Sequence, residues 1–339
     1  MATGTWQQVY LPVKKRMMKK TNAVSAFFRM VRWPNLLFIG LTQSLFYFCV
    51  ILPSFQLGNP ARMNILMIPE FLLLSLSSIL IAAAGYIIND YFDLSIDRIN
   101  KPDKIIIEKI IKRRWAIIWH WVLSSLGILI GFYISWKIRN LFIGPTNLLC
   151  VILLWFYSTT FKKKLLIGNL LIAFLTAWVI GVLYLAEFRL HRFVDPTYHS
   201  TLSRIYKFTV LYGAFAFVIS LVREVIKDME DLEGDVRYGC RTMPVVWGLN
   251  ASKFFCVSWL VLLLAALIFI QFYILQFRWW YTIAFTCLAV IYPILRVIRK
   301  MSGATEPAQF HQLSRMIKSV MLMGILSMIF LKFYTSWIG

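Results

Sequence analysis

Nine long stretches without a formal charge dominate the chain, and they decide what it can fold into. They run Leu36–Ala61, Phe71–Asn89, Trp115–Trp136, Asn140–Phe161, Leu165–Ala186, Phe208–Val222, Phe254–Phe277, Trp279–Leu295 and Ser319–Leu331. Most reach the ~20 residues that, at ~1.5 Å rise each, cross a ~30 Å hydrocarbon core. Hydrophobic residues make up 60% of the 339 and charged ones 15%, with a mean hydropathy of +0.70. A water-soluble fold of this composition would leave large apolar patches in water. The expected fold is therefore all-α: a polytopic membrane protein of about nine transmembrane helices around a central cavity. The sixth and ninth stretches are short before their first charge. Lys332 can snorkel at the end of the ninth, and the sixth helix is expected to continue past Val222 into a polar cavity.

A net charge of +21 raises nucleic acid as a partner, so the placement of the charge matters more than its size. Alternate loops, counted from the N-terminus, hold 27 of the 36 Lys and Arg residues on one side and 9 on the other. That three-to-one bias is the positive-inside signature. It predicts a cytoplasmic N-terminus and removes nucleic acid as the reason for the basic excess. Residues 1–34 read as a basic cytoplasmic arm carrying Lys14, Lys15, Arg16, Lys19 and Lys20, with no apolar signal-peptide core. Residues 35–339 read as one membrane domain. The five cysteines and four histidines are scattered, so neither a disulfide framework nor a zinc site is expected; His191 and His199 fall in an outward loop.

The acidic residues carry the chemistry. Eleven of fifteen lie in two short windows, Asp90–Glu108 and Glu224–Asp235, each following a stretch that ends on the cytoplasmic side. Asn89, Asp93 and Asp97 repeat at i, i+4, i+8, and Asp228, Asp231 and Asp235 at i, i+3, i+7, so each set shares one helix face. Two carboxylates ~6 Å apart at an effective dielectric near 20 repel by roughly 3 kcal/mol. Neighbouring Lys and Arg relieve some of this, but they cannot bridge a carboxylate to a ligand phosphate, and a divalent cation can. Mg²⁺, with Mn²⁺ as substitute, suits such hard-oxygen sites completed by substrate phosphates. Two acidic faces at one membrane surface can thus clamp a diphosphate through metal.

At this point the residues resemble a known family. The string NDYFDLSIDRINKP (Asn89–Pro102) is similar to the first aspartate-rich motif of the UbiA superfamily of intramembrane prenyltransferases, and REVIKDMEDLEGDVRYGCRTMPV (Arg223–Val245) to the second. RWPNLL (Arg32–Leu37) and YSTTFKKK (Tyr157–Lys164) are weaker matches. The resemblance implies transfer of an isoprenyl group from a polyprenyl diphosphate donor to a lipophilic acceptor among membrane lipids, with Mg²⁺. It implies Asp93, Asp97, Asp231 and Asp235 as the catalytic carboxylates. Asn89, Asp93, Asp97, Asp228, Asp231 and Asp235 would hold metal. Asn89, Asn35, Tyr157, Lys162, Arg223 and Lys227 would contact the diphosphate, and a prokaryotic inner or plasma membrane would be the location. Within the superfamily the motifs most resemble the branch that adds a geranylgeranyl chain to geranylgeranylglycerol phosphate. That branch usually continues Lys-Pro with Arg-Pro and a small-residue turn, whereas this chain reads Asp103-Lys104-Ile105-Ile106-Ile107-Glu108. The departure bears on the acceptor more than on the donor site.

Two alternatives share parts of this pattern. Prenylation of an aromatic ring, as in quinone or pigment synthesis, uses the same diphosphate machinery. A transporter of a divalent cation or acidic ligand would carry ionisable residues at mid-depth, but here both acidic sets lie at one surface. Tyr91 and Phe92, beside the first motif, are the aromatic residues nearest the expected site for stabilising a carbocation.

Overall fold

A computed structural model describes residues 22–56, 65–102, 105–189 and 195–335. The basic run Lys14–Lys20, Arg62, the departure residues Asp103 and Lys104, and His191 lie outside the described residues. The described chain is mostly helical, with no strand among the described residues. A short α1 (Ala23–Met30) leads into α2 (Trp33–Gln56), α3 (Ile68–Asn100), α4 (Arg113–Lys137), α5 (Ile143–Thr159), α6 (Ile167–Glu187), α7 (Pro196–Glu230), α8 (Leu232–Arg237), α9 (Met243–Leu275), α10 (Trp280–Gly303) and α11 (Pro307–Lys332).

Eight of these helices are long and apolar enough to cross a membrane among the described residues, and this is an integral membrane protein. The segment expected over Asn140–Phe161 holds the shorter, 17-residue α5, about 26 Å long at 1.5 Å per residue. Its start is late because Asn140 is used in the turn: Asn140 Oδ1 accepts from Phe142 N–H at 3.1 Å and Asn140 Nδ2 donates to Leu185 O at 2.7 Å. The sixth stretch does continue past Val222, since α7 runs to Glu230. The ninth is longer than its apolar run because a capping box formed by Glu306 and Gln309 starts α11 at Pro307.

Proline shapes two of the spans. Pro53 and Pro293 lack the N–H that would bond the carbonyl four residues back. Just before each, the helix widens into a π turn: Leu52 N–H bonds Tyr47 O, and Tyr292 N–H bonds Cys287 O. α9 is broken near its start at Gly248, which takes the left-handed φ of 79° that glycine tolerates.

α3 is the central helix of one half, packing on α2, α4 and α5; α7 plays the same part in the other, packing on α6, α9 and α11. Small residues permit the closest crossing: Ser77 Oγ on α3 donates to Gly127 O on α4 at 2.7 Å, and a Cβ at Gly127 would collide with Ile81. The halves meet where α2 touches α6 and α11. Large exposed apolar side chains such as Trp121, Leu129, Leu262, Phe269 and Phe272 line the outward faces of α4 and α9, where they meet lipid rather than water. After α3 the chain folds back as a tight cap. Ile106 and Ile107 join Ala26 and Met30 of α1 in one buried cluster, and Glu108, at φ 70°, bonds Arg98 at 2.6 Å and lies 3.4 Å from Arg113.

Candidate active site

The two acidic windows converge at one end of the bundle. The first is the last three turns of α3, the second the end of α7 with α8. Asn100, the last residue of α3, joins them: its Nδ2 donates to Asp231 O at 3.1 Å and its Oδ1 accepts from Gly234 N–H at 2.9 Å. The next residue, Lys101, places its Nζ 2.6 Å from Asp231 Oδ2. A third element enters from the 3₁₀ turn Phe161–Lys163 after α5, where Lys162 Nζ makes an ion pair with Asp93. That turn is itself tied to the second motif, because Arg241 N–H bonds Lys163 O at 2.8 Å.

Each acidic residue has a distinct surrounding. Asp93 is buried and also accepts from Asn89 Nδ2 at 2.7 Å. Asp97 stands one turn further, within electrostatic range of Asp93, Lys162 and Lys101. Asp228 accepts from Asn169 Nδ2 of α6 at 2.7 Å, and buried Asp235 accepts from Thr242 Oγ1 at 3.0 Å. Burial pushes the Asp235 carboxyl up to about 6, with the nearby Asp231 charge adding to the rise and the Thr242 hydrogen bond opposing it. For Lys162 burial works against the charged form, but Asp93 beside it prevails and holds the ammonium above the usual lysine range. Tyr157 lies among Lys162, Glu224, Asp93 and Asp228.

Three of the expected diphosphate contacts form a second polar group beside this one. Arg223 Nη1 and Lys227 Nζ share Glu224 Oε1, at 3.3 and 2.6 Å, and Asn35 Oδ1 accepts from Lys318 Nζ of α11 at 2.8 Å. Sequence spacing did not reveal Asn169 or Lys318, which come from other helices, whereas Glu224 and Thr242 lay inside the second quoted motif but gained their partners only from the fold. Asn100 and Lys101 lay inside the first quoted motif, but their role as the bridge to α8 needed the fold.

Between α2, α6, α7 and α11 an apolar cavity opens beneath these groups, lined among others by Phe38, Thr176, Tyr212, Phe215, Met321 and Gly324. The aromatic residues facing it are Phe38, Tyr212 and Phe215. Tyr91 instead lies under the Arg113 guanidinium, 4.8 Å from its ring centre, and Phe92 packs edge-on to Trp155 at 5.9 Å.

No three acidic, His or Cys side chains form a ready metal cage among the described residues; Lys162 and Lys101 sit on Asp93 and Asp231 instead. The donor set nevertheless fits a hard cation, for Asn89 Oδ1 is buried beside Asp93 without a hydrogen-bond partner. A buried orphan oxygen costs roughly 1–3 kcal/mol, and a cation shared with the carboxylates would satisfy it.

A helical membrane bundle with two aspartate motifs joined at one end, cations among them and an apolar cavity below defines an intramembrane prenyltransferase. The UbiA prenyltransferase family model matches residues 35–316, and the chain belongs to that family. It is similar to the digeranylgeranylglyceryl phosphate synthase of Methanothermobacter thermautotrophicus, 33% identical over 237 residues that cover 69% of this chain and 75% of that protein. Its fold is shared by a UbiA homologue from Aeropyrum pernix K1, with a TM-score of 0.60 at 13% identity over 87% of this chain and 98% of that one. It is also shared by a UbiA homologue from Archaeoglobus fulgidus bound to DMAPP and Mg²⁺, with a TM-score of 0.54 at 16% identity over 90% and 99% of the two chains.

Proposed function

We propose that this chain transfers a geranylgeranyl group from its diphosphate to the glycerol hydroxyl of a phosphate-bearing ether lipid. The observation that carries this reading is the Asn100–Gly234 and Lys101–Asp231 bridge, which joins the two aspartate motifs at one end of the bundle. The similarity to a digeranylgeranylglyceryl phosphate synthase supports the acceptor.

In this reading Asn89, Asp93, Asp97, Asp228, Asp231 and Asp235 hold Mg²⁺, as a homologue of the same fold holds it with DMAPP. When bound, the metal neutralises the diphosphate and makes it a better leaving group. The chain's own groups do the rest. Lys162 and Tyr157 stand beside Asp93 to orient the diphosphate, and Lys227, one turn beyond Arg223, extends the cationic side. The C1–O bond to the diphosphate breaks, the acceptor hydroxyl oxygen bonds C1, and the hydroxyl proton passes to the departing diphosphate. Phe38, Tyr212 and Phe215 line an apolar cavity beside the site that keeps water from the hydrocarbon of a bound lipid. Arg223 and Asn35 border this site on the side of α2 and α11.

In this reading residues 35–339 form the catalytic membrane domain and the basic stretch 1–34 belongs to its cytoplasmic side, with α1 burying Ala26 and Met30 in the domain. The three-to-one basic bias supports an active site at the cytoplasmic surface of the plasma membrane. The test is product analysis by mass with purified protein, geranylgeranyl diphosphate and Mg²⁺. A doubly alkylated glycerol phosphate is the expected product with geranylgeranylglyceryl phosphate. Prenylation only of hydroxylated aromatic acids would move the acceptor to an aromatic ring.

A further inference from the structure

Cations gather on the α2, α7 and α11 side of the cavity mouth beyond what the aspartate motifs require. Arg32 is matched by Asp90, with Nη2 to Oδ1 at 2.5 Å. Arg223 and Lys227 share the single carboxylate of Glu224. Lys318 has neutral neighbours: its Nζ donates to Asn35 Oδ1 at 2.8 Å and lies 5.0 Å from the centre of the Phe38 ring. Two hydrogen bonds, His311 Nδ1 with Glu230 Oε1 at 2.9 Å and Tyr212 Oη with Ser327 Oγ at 3.2 Å, set α7 and α11 antiparallel and bring Arg223 and Lys318 to one level. Arg223 thus shares its one carboxylate with Lys227, and Lys318 pairs with none, so this side of the mouth carries positive charge without a matching carboxylate. One donor is also unused, for Arg223 Nε is buried without a hydrogen-bond partner. Its side chain is only 20% exposed.

Uncompensated charge near an apolar phase is costly unless an anion completes it. The shape below says which kind. Phe38, which lies under Lys318, also lines the apolar cavity, as do Ile219, one turn before Arg223, and Met321, one turn after Lys318. An anionic head at this group therefore places its chain in the cavity. The diphosphate of the donor is already accounted for by the joined aspartate motifs with Lys162, Tyr157 and Lys227.

We infer that Lys318 and Arg223, with Asn35 holding Lys318 in place, bind the phosphate of the lipid acceptor as a site separate from the metal–diphosphate site. This rests on the proposed glycerol-phosphate acceptor. A phosphomonoester supplies the missing negative charge, and a guanidinium with a lysine is a suitable pair of donors for it. Lys318 lies just beyond the residues that match the family model. The acceptor head is held where its glycerol reaches toward C1 of the donor.

The test is equilibrium binding of geranylgeranylglyceryl phosphate to the purified full chain in detergent with excess chelator and no donor, so that the metal site is silent. Wild type binds, K318Q and R223Q each weaken binding roughly 10-fold or more, and K318R restores most of the affinity. Geranylgeranylglycerol, lacking the phosphate, binds wild type and K318Q alike. In turnover assays K318Q raises the KM for the phosphate acceptor and leaves the KM for geranylgeranyl diphosphate within about 2-fold. Thermal melts of the variants confirm that they are folded. Absence of metal-free binding by wild type, equal binding by folded K318Q and R223Q, or a rise in the donor KM instead would overturn the inference. Metal-free, phosphate-dependent binding without turnover would leave it standing and defeat the proposed reaction.

Discussion

The Asn100 side chain and the Gly234 backbone are locked to each other. Asn100 Oδ1 takes the Gly234 N–H at 2.9 Å, its Nδ2 reaches Asp231 O at 3.1 Å, and a Cβ on Gly234 would fall on the Asn100 amide itself. One side chain at the end of α3 thereby fixes where the second acidic motif begins. Gly234 is required for closeness and not for backbone freedom.

The G234A variant should therefore separate the motifs without unfolding the bundle. The two hydrogen bonds are worth about 1–3 kcal/mol together, so kcat/KM should fall roughly 10-fold or more while the melting temperature moves little. Full activity in G234A would mean that the motifs need no such register.

Asp235 gives a pH signature. Its folded value near 6 lies above the usual carboxylate value because the site is buried. The protein thus holds this proton more tightly folded than unfolded. Its contribution to stability is present at low pH and is lost as pH rises through about 6. Metal binding has the opposite sign, since the cation must displace that proton. Added Mg²⁺ should raise the melting temperature clearly at pH 7.5 and much less at pH 5. The comparison is a thermal melt with and without Mg²⁺ at both values; equal shifts would remove Asp235 from the metal site.

Gly324 on α11 faces Phe215 on α7 so closely that an added Cβ would run into the ring. Both residues line the cavity. In G324A the ring must turn into the apolar space that the acceptor's chain enters. Turnover with geranylgeranylglyceryl phosphate should drop roughly 10-fold relative to an acceptor with a shorter chain, the scale of reshaping an apolar pocket. Competition between the two acceptors reads this ratio directly.

Orientation is read at Ser95, which is exposed on the end of α3. In a background without the native cysteines, S95C should react with an impermeant thiol reagent only after cells are opened. Labelling from outside intact cells would invert the topology.

Much of this architecture is legible in the sequence because its causes are local. Charge-free length gives spans, and i, i+4, i+8 spacing puts Asn89, Asp93 and Asp97 on one face of a helix that does run through to Asn100. The continuation of α7 past Val222 follows from the same acidic helix. What pairs across the bundle is not legible. Lys101 reaches Asp231, Asn169 reaches Asp228 and Lys318 reaches Asn35, each over a separation that no periodicity encodes. The aromatic lining shows the difference most plainly: adjacency to the motif favoured Tyr91 and Phe92, whereas the helix faces present Phe38, Tyr212 and Phe215 to the cavity. The late start of α5 depends on Asn140 bonding Leu185 O in another helix, so hydropathy alone overextends that span.

The most direct measurement of the central claim is pyrophosphate release by purified protein supplied with geranylgeranyl diphosphate, acceptor and Mg²⁺, compared among wild type, D93A and D231A. If the joined motifs form one metal–diphosphate site, release depends on the metal, stops on chelation, and falls at least ~10²-fold in each variant, the scale of losing a principal electrostatic stabiliser. Near-wild-type release from either folded variant, or full release after exhaustive chelation, would contradict it.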